Sequence, residues 1–353
     1  MGCFLSSLCD FRPRSERFRE HYVLGRKIGE GAFSVVRRAT HKETNKVFAV
    51  KCYRKTRLTA RDAQDIHYEV SILKQMHHPN IINLYAFYDE PEFYYMVMDL
   101  VEGGELFDQL LEKVHYSEKE ARDVIKVVLQ AIAYCHNLGI VHRDLKPDNI
   151  LLTSRHGDGR SIKIADFGFA KQLVDNHDSL LSSCGTPEYI APEIVYNVYH
   201  RTHKVPYGTA VDIWAIGVMT FFLVSGVTPF HSSNQSIMLR KIAQADYKFL
   251  SPYWDDVSAE AKAFVGRMLT VDAKDRATAT ELLQDPWIIG HDVPADPLPE
   301  VLRRIQARHR LKMAISTVHT SVIIDSSSRR RRSFVARSQP PSPISSNATQ
   351  SLS

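Results

Sequence analysis

"HRDLKPDN", His142 to Asn149, places three kinds of chemistry within eight consecutive residues. Asp144 is a carboxylate able to orient an attacking hydroxyl and receive its proton, and Lys146 is a cation able to offset charge developing on a transferring phosphoryl group. Asn149 offers an oxygen ligand to a hard cation. Seventeen residues after Asn149, "ADFGFA" supplies Asp166, a second hard-cation ligand, with a flexible glycine, Gly168, close behind it. The intervening "LLTSRHGDGRSIKIADFG" reads as a hairpin turning at Asp158-Gly159, which brings the two segments side by side.

Upstream, "IGEGAFSVV" sets Gly29 and Gly31 between two strand-like runs, so that backbone can approach a phosphate without a Cβ in the way. Ser34 stands where a third glycine would complete the pattern, and on its own the stretch fits a plain glycine-containing hairpin equally well. "FAVKCY" then puts Lys51 in the middle of an apolar strand, where an ammonium is costly to bury unless paired. "HYEVSILKQM" offers Glu69, on a helical segment, as the partner that would hold Lys51 extended. "YVLGRKIGEG", "KVFAVKCY" and "EFYYMVMDL" read as strands from their β-branched and aromatic content. From "SEKEARDVIKVVLQAIAYCHNLG" onward the apolar spacing is helical, with Ser117 and Glu120 forming a capping box and Gly139 placed to end the helix. A sheet-rich lobe followed by a helix-rich lobe is expected.

The ordered set of motifs closely resembles the eukaryotic protein kinases, over roughly Tyr22 to Ile289. It comprises the glycine-rich loop, Lys51, Glu69, "HRDLKPDN", "DFG" at Asp166 to Gly168, "APE" at Ala191 to Glu193 and "DIWAIG" at Asp212 to Gly217. The resemblance implies an α+β, two-lobed fold with ATP in the cleft and Mg²⁺ as cofactor. By that likeness Ile28, Gly29, Glu30, Gly31, Ala32, Phe33, Ser34, Val36 and Ala49 face the nucleotide from above, with Lys51 on its α/β-phosphates. Met98 stands at the back of the adenine pocket, Asp99 to Val101 connect the lobes, and Glu105 lies at the rim. Asn149 and Asp166 are the implied Mg²⁺ ligands and Asp144 faces the substrate hydroxyl.

"KPDN" and "GTPEYIAPE" resemble Ser/Thr rather than tyrosine kinases, while "VMDLVEGGELFDQL" and "LTVDAKDRATATELLQDPWI" look like the calcium/calmodulin-dependent branch. That likeness gives Glu105 and Asp148 a basic residue of the protein substrate to recognise, against a plainer reading as solvated carboxylates. It makes Thr186 a structural hydroxyl near Asp144 and Lys146, and Glu193 and Arg276 a buried structural pair. Ser182 falls where related kinases carry an activating phosphothreonine, with Ser183 as its neighbouring competitor and Arg143 as the charge partner for the phosphate. Cys184 reads as a small packed side chain, and "YNVYHRTHKVPYGTAVD" is a longer connection after "APE" than the family usually has. The alternative from another class is a pseudokinase scaffold that binds nucleotide or partners without transferring phosphate.

The remainder of the chain sets the regulatory expectations. Of the net charge of +5, Val301 to Ser353 contributes ten Lys/Arg against one Asp, leaving about −4 for everything before it. Residues 290–325 read as a proline-containing linker followed by a basic helix, and 326–353 as a disordered Ser/Pro-rich tail. On that helix Leu302, Ile305, His309 and Met313 share one face, whereas Leu311, Ile315, Val318 and Val322 share a nearly opposite one. One stripe suits docking on the kinase, and the other, flanked by Arg308, Arg310 and Lys312, suits calmodulin's apolar, acidic groove. No EF-hand loop appears, so calcium sensing would come from a separate protein. In residues 1–21, "MGCFLS" matches a myristoylation pattern through Gly2 and Ser6, with Cys3 and Cys9 as palmitate acceptors, which would tether a cytoplasmic kinase to a membrane face. "VDIWAIGVMTFFLVSGV" is too short for a membrane span and reads as a buried core helix. Five scattered cysteines argue for a reducing compartment. Nucleic acid is not expected as a partner, and the lack of a hub-like segment after the tail favours a monomer.

Overall fold

β-branched and aromatic residues dominate "VFAVKCYR" and "FYYMVM", and both are strands at the centre of one antiparallel sheet. The sheet contains β1 (Tyr22–Glu30), β2 (Ser34–His41), β3 (Val47–Arg54), β4 (Leu84–Asp89) and β5 (Phe93–Met98), in the order β1-β2-β3-β5-β4. In this computed structural model the described residues are 17–31, 33–106, 110, 113, 116–154, 161–173, 186–200, 202–308 and 310. The chain divides into a unit Met1–Ile305 and a unit Gln306–Ser353.

One short helix, α1 (Phe18–His21), precedes β1 and covers the outer face of the sheet. Phe18 is fully buried there, stacked on Tyr22 at 5.2 Å and on Tyr95 at 4.4 Å. Against the sheet lies α2 (Ala60–Leu73), started by a capping box in which Thr59 Oγ1 accepts the Asp62 N–H at 3.2 Å and the Asp62 carboxylate accepts the Thr59 N–H at 2.8 Å. Its buried residues are Ile66, Glu69, Val70, Ile72 and Leu73, so one acid is carried inside with the apolar face.

The second lobe is helical. Helix α3 (Glu118–Asn137) begins at the expected capping box: Ser117 Oγ accepts the Glu120 N–H at 3.3 Å, and the Glu120 carboxylate accepts the Ser117 N–H at 2.9 Å. Glu118 has no exposed surface, and its carboxylate is satisfied by the Ser258 N–H (2.9 Å), the Ser258 hydroxyl (2.6 Å) and the Trp287 indole N–H (2.8 Å). After α3 come β6 (Ile140–Val141), β7 (Ile150–Leu152), β8 (Ile162–Ile164), β9 (Lys171–Gln172), α4 (Pro192–Tyr199), α5 (Ala210–Ser225), α6 (Gln235–Ala243) and α7 (Ala259–Met268). From Val211 to Ser225 every residue of α5 is buried, as expected of a helix apolar on all sides. Among the described residues no helix is long and apolar enough to cross a membrane. The expected hairpin is present as the antiparallel pair β7–β8, although its turn at Asp158-Gly159 lies outside the described residues.

Residues 299–308 are helical, and Leu298, Val301, Leu302 and Ile305 belong to the main hydrophobic core. The first turns of the basic helix are thus packed into the folded lobe. His309, Leu311, Met313 and Ile315 lie outside the described residues, as do residues 1–16, Ala32, Ser182, Ser183 and Cys184.

Candidate active site

Strand β3 pairs Lys51 with Val36 on one side and Met96 on the other, which points the ammonium toward α2. Lys51 Nζ stands 3.3 Å from Glu69 Oε1 and 3.7 Å from Asp166 Oδ1. Burial pulls the Lys51 pKa down, but Glu69, Tyr53 and Asp166 more than offset that and raise it above the usual lysine value. The side chain is therefore a fixed cation. Tyr53, a residue the sequence reading passed over, donates its buried hydroxyl to Glu69 Oε2 at 3.4 Å.

A cleft of about 390 Å³ opens between the two lobes. Ile28, Gly29, Glu30, Gly31, Ser34, Val36, Ala49 and Lys51 line it from the sheet, with Met98, Asp99, Leu100 and Val101 at the connection. Leu151, Ala165, Asp166 and Phe167 line it from the other lobe, and Leu73 and Ile82 complete its depth. Two expected residues are elsewhere: Phe33 is 52% exposed, and Glu105 forms a backbone bridge to Leu151 without lining the cleft. Asp99 is at the connection as expected, and its carboxylate accepts from Asn83, Tyr85 and Lys163 (2.7–3.0 Å). Burial pushes the Asp99 pKa up, and those donors bring it below the usual carboxylate value.

The "HRDLKPDN" segment is held from behind by one buried carboxylate. Asp212, on α5, accepts the backbone N–H groups of His142 and Arg143 at 2.9 Å each and contacts His136 Nε2 at 2.9 Å. Arg143 has φ 69°, a left-handed conformation that costs a non-glycine residue energy and persists here because Asp212 fixes both neighbouring amides. The Arg143 guanidinium donates to Phe169 O at 2.6 Å and to Tyr207 Oη at 3.2 Å.

Asp144 is 5% exposed and presents its carboxylate to four donors. Thr186 reaches Oδ1 through its N–H (3.0 Å) and hydroxyl (2.8 Å), while Lys146 Nζ (2.6 Å) and Asn149 Nδ2 (3.3 Å) reach Oδ2. Lys146 also donates to Thr186 Oγ1 at 3.0 Å, which places Thr186 as the sequence suggested. The buried Glu193–Arg276 pair is bidentate, at 2.9 and 3.0 Å, with three backbone carbonyls satisfying the rest of the guanidinium.

The order of these groups agrees with an independent match: residues 22–288 fit the family described as protein kinase domain. The chain belongs to the protein kinase family. Over 306 residues it is 40% identical to the calcium/calmodulin-dependent protein kinase type II alpha chain of Drosophila melanogaster, covering 85% of this chain and 56% of that protein. It is 41% identical to calcium/calmodulin-dependent protein kinase type II of Caenorhabditis elegans, covering 86% and 42%, and 41% identical to that of Caenorhabditis briggsae, covering 86% and 56%. The chain therefore spans about half the length of these relatives.

This kinase has a donor set suited to Mg²⁺. Asn149 commits its amide nitrogen to Asp144 O at 2.8 Å, which leaves its amide oxygen as the atom it can offer a hard cation. The Ala165 N–H donates to Asn149 O at 2.9 Å, so the β7–β8 pairing carries Asp166 to the same side. At Gly168 a Cβ would sit 3.3 Å from Asp166 Oδ1 and 3.8 Å from Glu69 Oε2, so the glycine keeps the ground beside both carboxylates clear. Asn149 and Asp166 are thus fitted to hold Mg²⁺ with water and phosphate oxygens as the remaining ligands.

Proposed function

We propose that this kinase transfers the γ-phosphoryl group of ATP to serine or threonine hydroxyls of proteins, and that calcium-loaded calmodulin relieves inhibition by its C-terminal basic segment. The observation that carries the first part is the pair of assembled clusters, Lys51–Glu69 in the cleft and Asp144–Lys146–Thr186 on the segment that also bears Asn149. Apolar lining from Val36, Ala49, Met98 and Leu151 suits a purine, and Lys51 is the cation for the nucleotide's phosphates. Asn149 and Asp166 would hold Mg²⁺, which would supply positive charge against the nucleotide's phosphates. Asp144 orients the acceptor hydroxyl and takes its proton, while Lys146, beside it, stabilises charge on the moving phosphoryl group. A pseudokinase scaffold would not require both clusters to be intact.

Support for regulation comes from the likeness to calcium/calmodulin-dependent relatives and from the docked start of the basic helix. Leu311 and Ile315 belong to the stripe assigned to calmodulin. Glu105 and Asp148 are assigned to a basic residue upstream of the acceptor, and Arg143 to a phosphate on Ser182. A purified full-length chain is expected to phosphorylate serine peptides with an upstream arginine, only with MgATP and more than about tenfold faster with calcium and calmodulin. Equal rates with and without calmodulin would remove the regulatory reading, and a preference for tyrosine peptides would remove the acceptor assignment. Gly2→Ala is expected to shift the protein from the membrane fraction to the soluble fraction, because a lone remaining acyl signal anchors weakly. Equal partition of both forms would count against acylation.

A further inference from the structure

Glu69 can hold Lys51 only while α2 keeps its rotational setting, and Lys51 has a second carboxylate, Asp166, already 3.7 Å away. A helix that turned Glu69 outward would hand the cation to Asp166, one of the two groups fitted to Mg²⁺. Beyond the far end of α2, the His77 N–H donates to Tyr134 Oη at 2.9 Å. Next to Glu69 in sequence, Tyr68 makes a different set of contacts. Its hydroxyl accepts the backbone N–H of Gln172 at 2.9 Å, and the Lys171 ammonium lies 3.7 Å from the centre of its ring.

Both partners are on β9, whose residues pair with β6 as Ile140↔Gln172 and Val141↔Lys171. Val141 immediately precedes His142, so β6–β9 is the base on which the catalytic segment stands. Gln75, just past the end of α2, exchanges amide hydrogen bonds with Gln172 at 3.2 and 3.1 Å, and Gln172 also donates to Leu138 O at 3.2 Å. A single aromatic residue therefore ties the helix bearing Glu69 to the strand that follows Asp166.

We propose that Tyr68 is a positioning residue that keeps Glu69 on Lys51 by latching α2 to β9. This rests on the kinase reading, and it goes beyond it by assigning the inward setting of Glu69 to a contact made outside the cleft. Tyr68 does not line the cleft, so its effect on transfer would pass through Glu69. Its ring holds Lys171 and its oxygen holds the Gln172 amide, two separable contributions.

The test is a mutant cycle with two readouts. Tyr68→Ala is expected to lower kcat by about tenfold with the peptide KM unchanged, and Tyr68→Phe, which keeps the ring over Lys171, by about threefold. In a Glu69→Gln background Tyr68→Ala is expected to change kcat by less than about twofold, because the group it positions is already disabled. Hydrogen exchange of the Val70–Leu73 amides should speed up by about tenfold in Tyr68→Ala, with no change in helix α5. The exchange arm reads the latch even in a chain that transfers no phosphate, so failure of this proposal is distinguishable from failure of the kinase reading. Unchanged α2 protection, or the same fractional loss of kcat in both backgrounds, would overturn it. Should Tyr68→Ala fail to fold, Tyr68→Phe and Lys171→Met carry the same comparison, each removing one contact.

Discussion

Asp144→Asn is expected to lower kcat by about a thousandfold while nucleotide affinity stays within about twofold of wild type, the loss typical of removing a positioned general base. The substitution keeps the shape of the side chain and an acceptor for the Thr186 hydroxyl, 2.8 Å away, so the segment from Ala191 onward should remain docked. It removes the charge that faces Lys146 at 2.6 Å, and with it the group able to take a proton. Asp144→Ala is a poorer test, because it would leave Lys146, half-buried beside it, without its carboxylate partner. Steady-state peptide kinetics and nucleotide titration decide the matter together. Loss of both activity and binding would indicate a collapsed site, and activity within tenfold of wild type would remove Asp144 as the base.

The segments that announced the site are those whose chemistry is contiguous in sequence. Asp144, Lys146 and Asn149 lie within six residues, and their mutual contacts follow from a single turn of backbone around Pro147. The start of α3 was legible for the same reason, since Ser117 and Glu120 act across three residues. Contacts across long separations left no local trace. Tyr53 and Tyr68 read as ordinary strand and helix aromatics, because their partners are side chains 16 residues on and a backbone amide 104 residues on. The carboxylate contact of Asp99 left no trace either, because Lys163, which engages it, is on another lobe's strand. Leu151 was illegible for another reason: β7 is apolar throughout, and only the strand's alternation, with Ile150 and Leu152 buried and Leu151 half-exposed, turns it to the cleft.

The largest expected change in stability concerns the start of the basic helix. A chain ending at Pro297 is expected to melt on the order of 15 °C below the full-length protein, whereas a chain ending at Arg308 should melt with it. Leu298, Val301, Leu302 and Ile305 are between 0% and 7% exposed, and losing the burial of these four removes about 6 kcal/mol at about 1.5 kcal/mol per side chain. The lobe is shaped to receive them. Gly226 has φ 74°, and a Cβ there would lie 2.9 Å from Val301 O and 2.8 Å from Arg304 Cβ, so the helix rests directly on backbone. Arg304 covers the Tyr253 ring at 4.4 Å and donates to Ser225 O at 3.3 Å, adding polar anchorage at the edge. A cut at the proline-containing linker would therefore confound loss of the proposed inhibition with loss of fold. The proposed inhibition is separable from the fold only beyond this turn, where the stripe assigned to docking continues to His309 and Met313. The chain ending at Arg308 is accordingly expected to phosphorylate peptides without calcium at the rate the full-length protein reaches with calmodulin. If it proved no faster than the full-length protein alone, the segment after Arg308 would not be inhibitory; if the chain ending at Pro297 melted normally, the helix would not be part of the core.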